Sequence, residues 1–117
     1  MKLEDFVVYN LAMDLGEQVY KFVMQWKIFD KDTIGKQVVR STDSIAANLS
    51  EGMGRYHYKE RKNFSFYSRG SLFETKTWLQ KAKNRHLIDD ANFAKMLNDI
   101  EIIGVKLNNY IKTIGPN

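Results

Sequence analysis

Cysteine is absent from the 117 residues, which excludes disulfides, thiolate catalysis and cysteine-ligated zinc. Histidine is scarce. His57 and His86 are the only imidazoles, too few for a histidine-rich metal site. Proline occurs once, at Pro116, so no proline interrupts a helix through the body of the chain. No run approaches the ~20 apolar residues that a bilayer-spanning helix needs. The opening Met1-Lys2-Leu3-Glu4-Asp5 carries acids early and lacks a signal-peptide core. These absences set the expectation of a cytoplasmic protein that makes no membrane contact.

Catalytic motifs are missing as well. Gly52-Met53-Gly54 has neither the Lys-Ser/Thr nor the preceding strand of a phosphate-binding loop. Neither histidine follows a glutamate by three residues, the pattern of di-iron bundles. Ser41, Ser44 and Ser71 have no evident histidine to act as base. The expectation is a chain that is not an enzyme and takes no cofactor and no metal.

What is present is helical periodicity. A first helix is predicted from about Glu4 to Phe29. Val8, Leu11, Leu15, Phe22 and Trp26 form one stripe, and Phe6, Tyr9, Met13, Tyr20 and Met24 a second beside it. Phe29–Thr33 reads as the first break, with Asp32 or Thr33 as N-cap. A second helix follows from about Ile34 to Met53, rich in small residues, with Gly52 and Gly54 placed for a left-handed C-terminus. A third spans about Tyr58 to Asn84, with Phe64, Tyr67, Ser71, Glu74 and Trp78 sharing a face that Phe66, Leu72 and Phe73 widen. On that pattern Phe64 and Tyr67 read as core. A fourth starts after Asp89 or Asp90 and runs to about Thr113, ahead of the stop signal Gly115-Pro116. No strand alternation competes. The expected fold is all-α, an antiparallel up-down-up-down four-helix bundle forming a single domain over residues 1–117.

Charge is unevenly spread. The net charge is +4, yet Arg55 to Arg85 carries nine Lys/Arg against Glu60 and Glu74, a local excess of seven. A solvated helix face explains such a run. So does binding to structured RNA or DNA, because cations neutralise phosphates and rings stack on unpaired bases. The candidate contacts are Arg55, Tyr56, Tyr58, Lys59, Arg61, Lys62 and Arg69. The second helix is also unusually polar. Arg40, Ser44, Asn48 and Glu51 recur on one face, as a solvated strip or as a network buried between helices or subunits. A buried Arg40 would need a carboxylate, from Glu51 or Glu74. Gly70, Ser71 and Glu74 complete this structural group. Gly70 costs about 1 kcal/mol in a helix unless another backbone packs over it.

These blocks carry a resemblance. Gln37-x-x-Arg40-Ser41-x-x-Ser44-Ile45-x-x-Asn48-x-x-Glu51-Gly52 resembles the signature of the 23S rRNA intervening-sequence proteins, a four-helix-bundle family. Phe64-x-Phe66-Tyr67-x-x-Gly70-Ser71-Leu72-x-Glu74 resembles its second block, and Phe6-x-x-Tyr9-x-x-Ala12-x-x-Leu15 its first helix. Ala46-Ala47 stands where a proline is common, and Ser68-Arg69 where an alanine often precedes the glycine. The resemblance implies a homopentameric ring, with self-association as the first partner. A similar protein, the accessory variability determinant of diversity-generating retroelements, binds nucleic acid and a reverse transcriptase. Ribosomal RNA or other nucleic acid, and a reverse transcriptase or other protein, are therefore the partners implied. The alternative is a protein–protein scaffold without nucleic-acid binding.

Overall fold

The computed structural model describes residues 1–116, which form helices and no strands. Helix α1 runs Val7–Val23 after a 3-10 turn at Leu3–Asp5, α2 runs Lys36–Met53, α3 runs Tyr58–Asn84 and α4 runs Asp90–Thr113. The molecule measures 48 × 24 × 21 Å. It is a four-helix bundle in which each helix packs antiparallel on the next and α4 closes back on α1. The direction of each pair follows from which residues meet. Gly16 lies against Asp43 and Gly35 against Val23, pairing α1 with α2. Arg69 meets Asn108 and Lys76 meets Glu101, pairing α3 with α4.

The α3 and α4 boundaries follow the sequence pattern, and Asp89 caps α4 by accepting from the Asn92 amide at 2.7 Å. The first break lies elsewhere than expected. Backbone turns after Val23 end α1, and Trp26 tucks under the bundle end, its indole N–H donating to the Leu87 carbonyl at 3.0 Å. Phe29–Thr33 is helical, inside a turn Ile28–Asp30 and a π-helical segment Lys31–Gly35 that lead into α2. Thr33 caps nothing. Its hydroxyl donates back to the Phe29 carbonyl at 2.8 Å. The connection between α3 and α4 is a Schellman turn. Leu87 N–H reaches the Ala82 carbonyl at 2.9 Å, and His86 takes φ 60° without being glycine.

The core holds Leu15, Val19, Val38, Ile45, Leu49, Leu72, Leu79, Ile100, Ile103 and Leu107. On α3 the buried face differs from the one the aromatic spacing suggested. Ser65, Ser68, Leu72, Thr75, Leu79 and Ala82 point inward. Phe66, Tyr67 and Phe73 are exposed, and Phe64 and Trp78 are half-buried. Helices α2 and α3 approach too closely for rings, and hydroxyls fill the seam instead. Ser41 and Thr75 share a hydrogen bond of 2.9 Å, and Ser68 donates to the Ile45 carbonyl at 2.7 Å. Gly52 serves this approach and not a left-handed turn. A Cβ there would lie 2.9 Å from Phe64 Cβ and 3.2 Å from the Arg61 carbonyl oxygen. Gly54 is likewise right-handed.

Candidate nucleic-acid interface

The residues proposed for phosphate contact separate into two groups. Arg55 is engaged within the chain. Its guanidinium meets Glu51 at 2.6 Å and Glu60 at 3.5 Å, and lies 5.0 Å over the Phe64 ring. Arg61 donates to the Tyr56 and Arg55 carbonyls. Both arginines pin the α2–α3 corner, where Tyr56 and His57 stack edge to face at 5.2 Å. Tyr56 is exposed, and Tyr58 half-buried in the first turn of α3. Lys59 is exposed and Lys62 half-buried on the same turns.

The second group runs down α3. Lys62, Arg69, Lys76 and Lys83 recur at seven-residue intervals, which keeps them on one face of a helix with 3.6 residues per turn. Phe66 and Phe73 fall between them. Arg69 sits 4.9 Å over the Phe66 ring and donates to Asn108 at 3.1 Å. Lys76 meets Glu101 at 3.0 Å, and Lys83 approaches Asp90 at 4.0 Å and the Phe93 ring at 4.8 Å. These are exposed ion pairs, worth ~0–1 kcal/mol each, so a phosphate can compete for the cations. The regular spacing of Lys76 and Lys83 was visible in the sequence, but it gains meaning only once the packed face of α3 is known.

The polar group on α2 and α3 is not an intrachain network. Arg40, Glu51, Gly70 and Glu74 are exposed, and Ser44, Asn48 and Ser71 half-buried. Arg40 donates to Gln37 rather than to a carboxylate. Glu51 is taken by Arg55, and Glu74 accepts from the Trp78 indole at 2.9 Å. Among the described residues nothing outside its own helix stretch lies within 4 Å of where a Gly70 Cβ would sit, so no other helix packs over it. Burial between helices is thereby corrected: these side chains lie on an outer face of the α2–α3 pair.

Elsewhere, a cleft of about 260 Å³ opens between α1 and α2, with Glu17 and Asp43 on its wall. Partial desolvation in the cleft first, and the Glu17 charge second, hold the carboxyl of the otherwise exposed Asp43 above its usual range. Burial raises the Tyr110 phenol, partly offset by Arg61. His57 and His86 flank opposite ends of α3. Among the described residues no group of three or more His, Asp or Glu could hold a metal, and no helix is long and apolar enough to cross a membrane.

The fold places the chain in the class of four-helix bundles. Residues 4–109 match the 23S rRNA-intervening sequence protein family, and the chain belongs to it. It is similar in fold to a protein of unknown function from the S23 ribosomal protein family of Bacteroides thetaiotaomicron, solved by crystallography. The TM-score is 0.81 at 24% identity, covering 91% of this chain and 99% of that one. No curated protein matches the chain.

Proposed function

We propose that this is a cytoplasmic, non-catalytic, oligomeric protein that binds nucleic acid through the basic face of α3. The observation that carries the reading is the row Lys62, Arg69, Lys76 and Lys83, exposed or half-buried on one helix face. Four cations spaced by seven residues stand about 10.5 Å apart and cover about 31 Å. Lys59 extends the row, while Arg55 and Arg61 act indirectly by holding the corner from which α3 starts. The test is binding of a labelled rRNA fragment measured against salt. Each phosphate neutralised contributes about −0.7 to −0.9 to the slope of log K on log salt. A slope of −2 or steeper is expected, and the double reversal Lys62→Glu with Arg69→Glu should flatten it. A flat slope in the unmodified protein overturns the reading.

Self-association is the second element of the proposal. Tyr67 on α3, Met13 and Tyr20 on α1 and Met24 just after it are large apolar side chains left exposed, the kind of surface that assembly covers. Beside Tyr67 lies the polar face with Arg40, Ser44, Asn48, Glu51, Ser71 and Glu74. We assign this α2–α3 face to subunit contact in a homopentamer. A solution mass of five times 13.7 kDa is expected. The same exposed rings also favour a scaffold that binds protein alone, a reverse transcriptase included. In that case charge reversal on α3 leaves partner binding unchanged.

A further inference from the structure

The basic face of α3 is not uniformly cationic. Its order is Lys62, Phe66, Arg69, Phe73, Lys76, so that each ring stands between two cations. Phe73 is 65% exposed, although α3 has ample room for polar residues at its surface. Across the groove on α4 stands Val105, 61% exposed. Between them is a slot of about 160 Å³ floored by Leu72 and Gly104. Arg69 and Lys76 line the same slot, and so do Asn108 and Glu101, their respective partners. The volume is below the ~300 Å³ at which small-molecule sites begin. It is a place for one flat group held between two apolar walls.

On the nucleic-acid reading above, we infer that this groove binds a single strand, with an unpaired base entering the slot between Phe73 and Val105. A nucleotide within a strand is a ring flanked by phosphates on both sides. The slot is its complement, a ring flanked by Arg69 and Lys76, about 10.5 Å apart along the helix. A duplex would use the cations and leave the rings without work, because its bases are already paired and stacked. Base stacking on an aromatic side chain accepts any base, and the Asn108 amide can add a hydrogen bond at a base edge. Glu101 opposes the strand, since it holds Lys76 and repels phosphate.

Fluorescence anisotropy with a 15-nucleotide uridine-rich RNA and a hairpin RNA of equal charge tests this on the full chain. The single strand should bind at least tenfold tighter. Phe73→Ala should weaken it roughly 5- to 150-fold and leave hairpin binding within twofold. Phe73→Tyr should restore it. Glu101→Gln should tighten single-strand binding and steepen the salt slope by about 0.7. Circular dichroism checks that each variant is folded, as the exposure of both side chains leads one to expect. The inference is overturned if the hairpin binds equally well or better, or if Phe73→Ala leaves the single strand unaffected. If neither RNA binds with a salt dependence, the nucleic-acid reading itself falls. Binding of an alternating Glu-Tyr peptide that requires Phe73, without RNA binding, would give the slot to an acidic protein segment and overturn the inference.

Discussion

The Ser68 hydroxyl donates to the Ile45 carbonyl at 2.7 Å, joining α3 to α2 through a fully buried contact. Ser68 can reach that carbonyl only because the two helices are in near-backbone contact. Leu or Phe at this position has no space. Ser68→Leu should destabilise the protein by about 1–3 kcal/mol through overpacking, and Ser68→Ala by about 0.5–1.5 kcal/mol through loss of the hydrogen bond. Urea unfolding monitored by circular dichroism gives both values. Equal stability of Ser68→Leu and the parent would contradict the close-packed seam.

Gly52 tests the same seam from the other side. Its missing Cβ leaves room for Phe64 and the Arg61 carbonyl. Gly52→Ala gains about 1 kcal/mol of helix propensity but forces two backbones apart. A net loss of about 1–2 kcal/mol is expected, again read from unfolding in urea. A net gain would show that the helices yield.

Gly70 should behave in the opposite way, because among the described residues no other helix stands over it. Gly70→Ala should raise the stability of the isolated subunit by about 0.5–1 kcal/mol. Gly70→Trp should leave the subunit folded and lower the solution mass measured by light scattering, if the outer α2–α3 face joins subunits. An unchanged mass would remove this face from the assembly.

His86 occupies the left-handed position that ends α3. A side chain there costs roughly 1–2 kcal/mol that glycine does not incur. His86→Gly should therefore raise the melting temperature, by about 3–6 °C for a stabilisation near 1 kcal/mol in a chain this long. A lower melting temperature would mean that the imidazole makes a stabilising contact.

Asp43 supplies a pH dependence with a definite sign. Its folded carboxyl takes up a proton more readily than the unfolded one, through partial desolvation in the cleft and then Glu17. Wherever the folded state binds more protons, stability falls as pH rises. The penalty is therefore complete above the folded value and vanishes on acidification below the ordinary carboxylate range, about 4. Asp43→Asn should melt higher than the parent at pH 7 and converge with it near pH 3. A gap that widens in acid would reverse the assignment.

Much of the fold was legible in the chain. The limits of α4 are set by local signals, Asp89 as a cap and the apolar row Phe93, Ile100, Leu107 and Ile111, which depend on nothing distant. The break after α1 lies earlier than the pattern implies because Trp26 continues the apolar stripe. It does so while closing the bundle end on the Leu87 carbonyl, an arrangement periodicity alone does not distinguish from a longer helix. The buried face of α3 was misread for a related reason. Aromatic spacing marks a face as apolar, but the identity of the inward face is set by how near the partner helix comes.

The candidate site was half legible. The charge excess between Arg55 and Arg85 is a property of composition, and it marks α3 in the sequence alone. Which of those cations face outward was not. Arg55 and Arg61 are drawn into the α2–α3 corner by Glu51, Glu60 and free carbonyls, partners that exist only once the chain turns there.

The sequence by itself determined the helices, their order and the concentration of positive charge, because caps, periodicity and composition act over a few residues. Only the tertiary structure decided that serine, threonine and glycine fill the α2–α3 seam while Phe66, Tyr67 and Phe73 stay at the surface. The reason is steric: two helix backbones in close approach leave space for hydroxyls and none for rings, so Phe66 and Phe73 stand among the cations and Tyr67 beside the polar α2–α3 face.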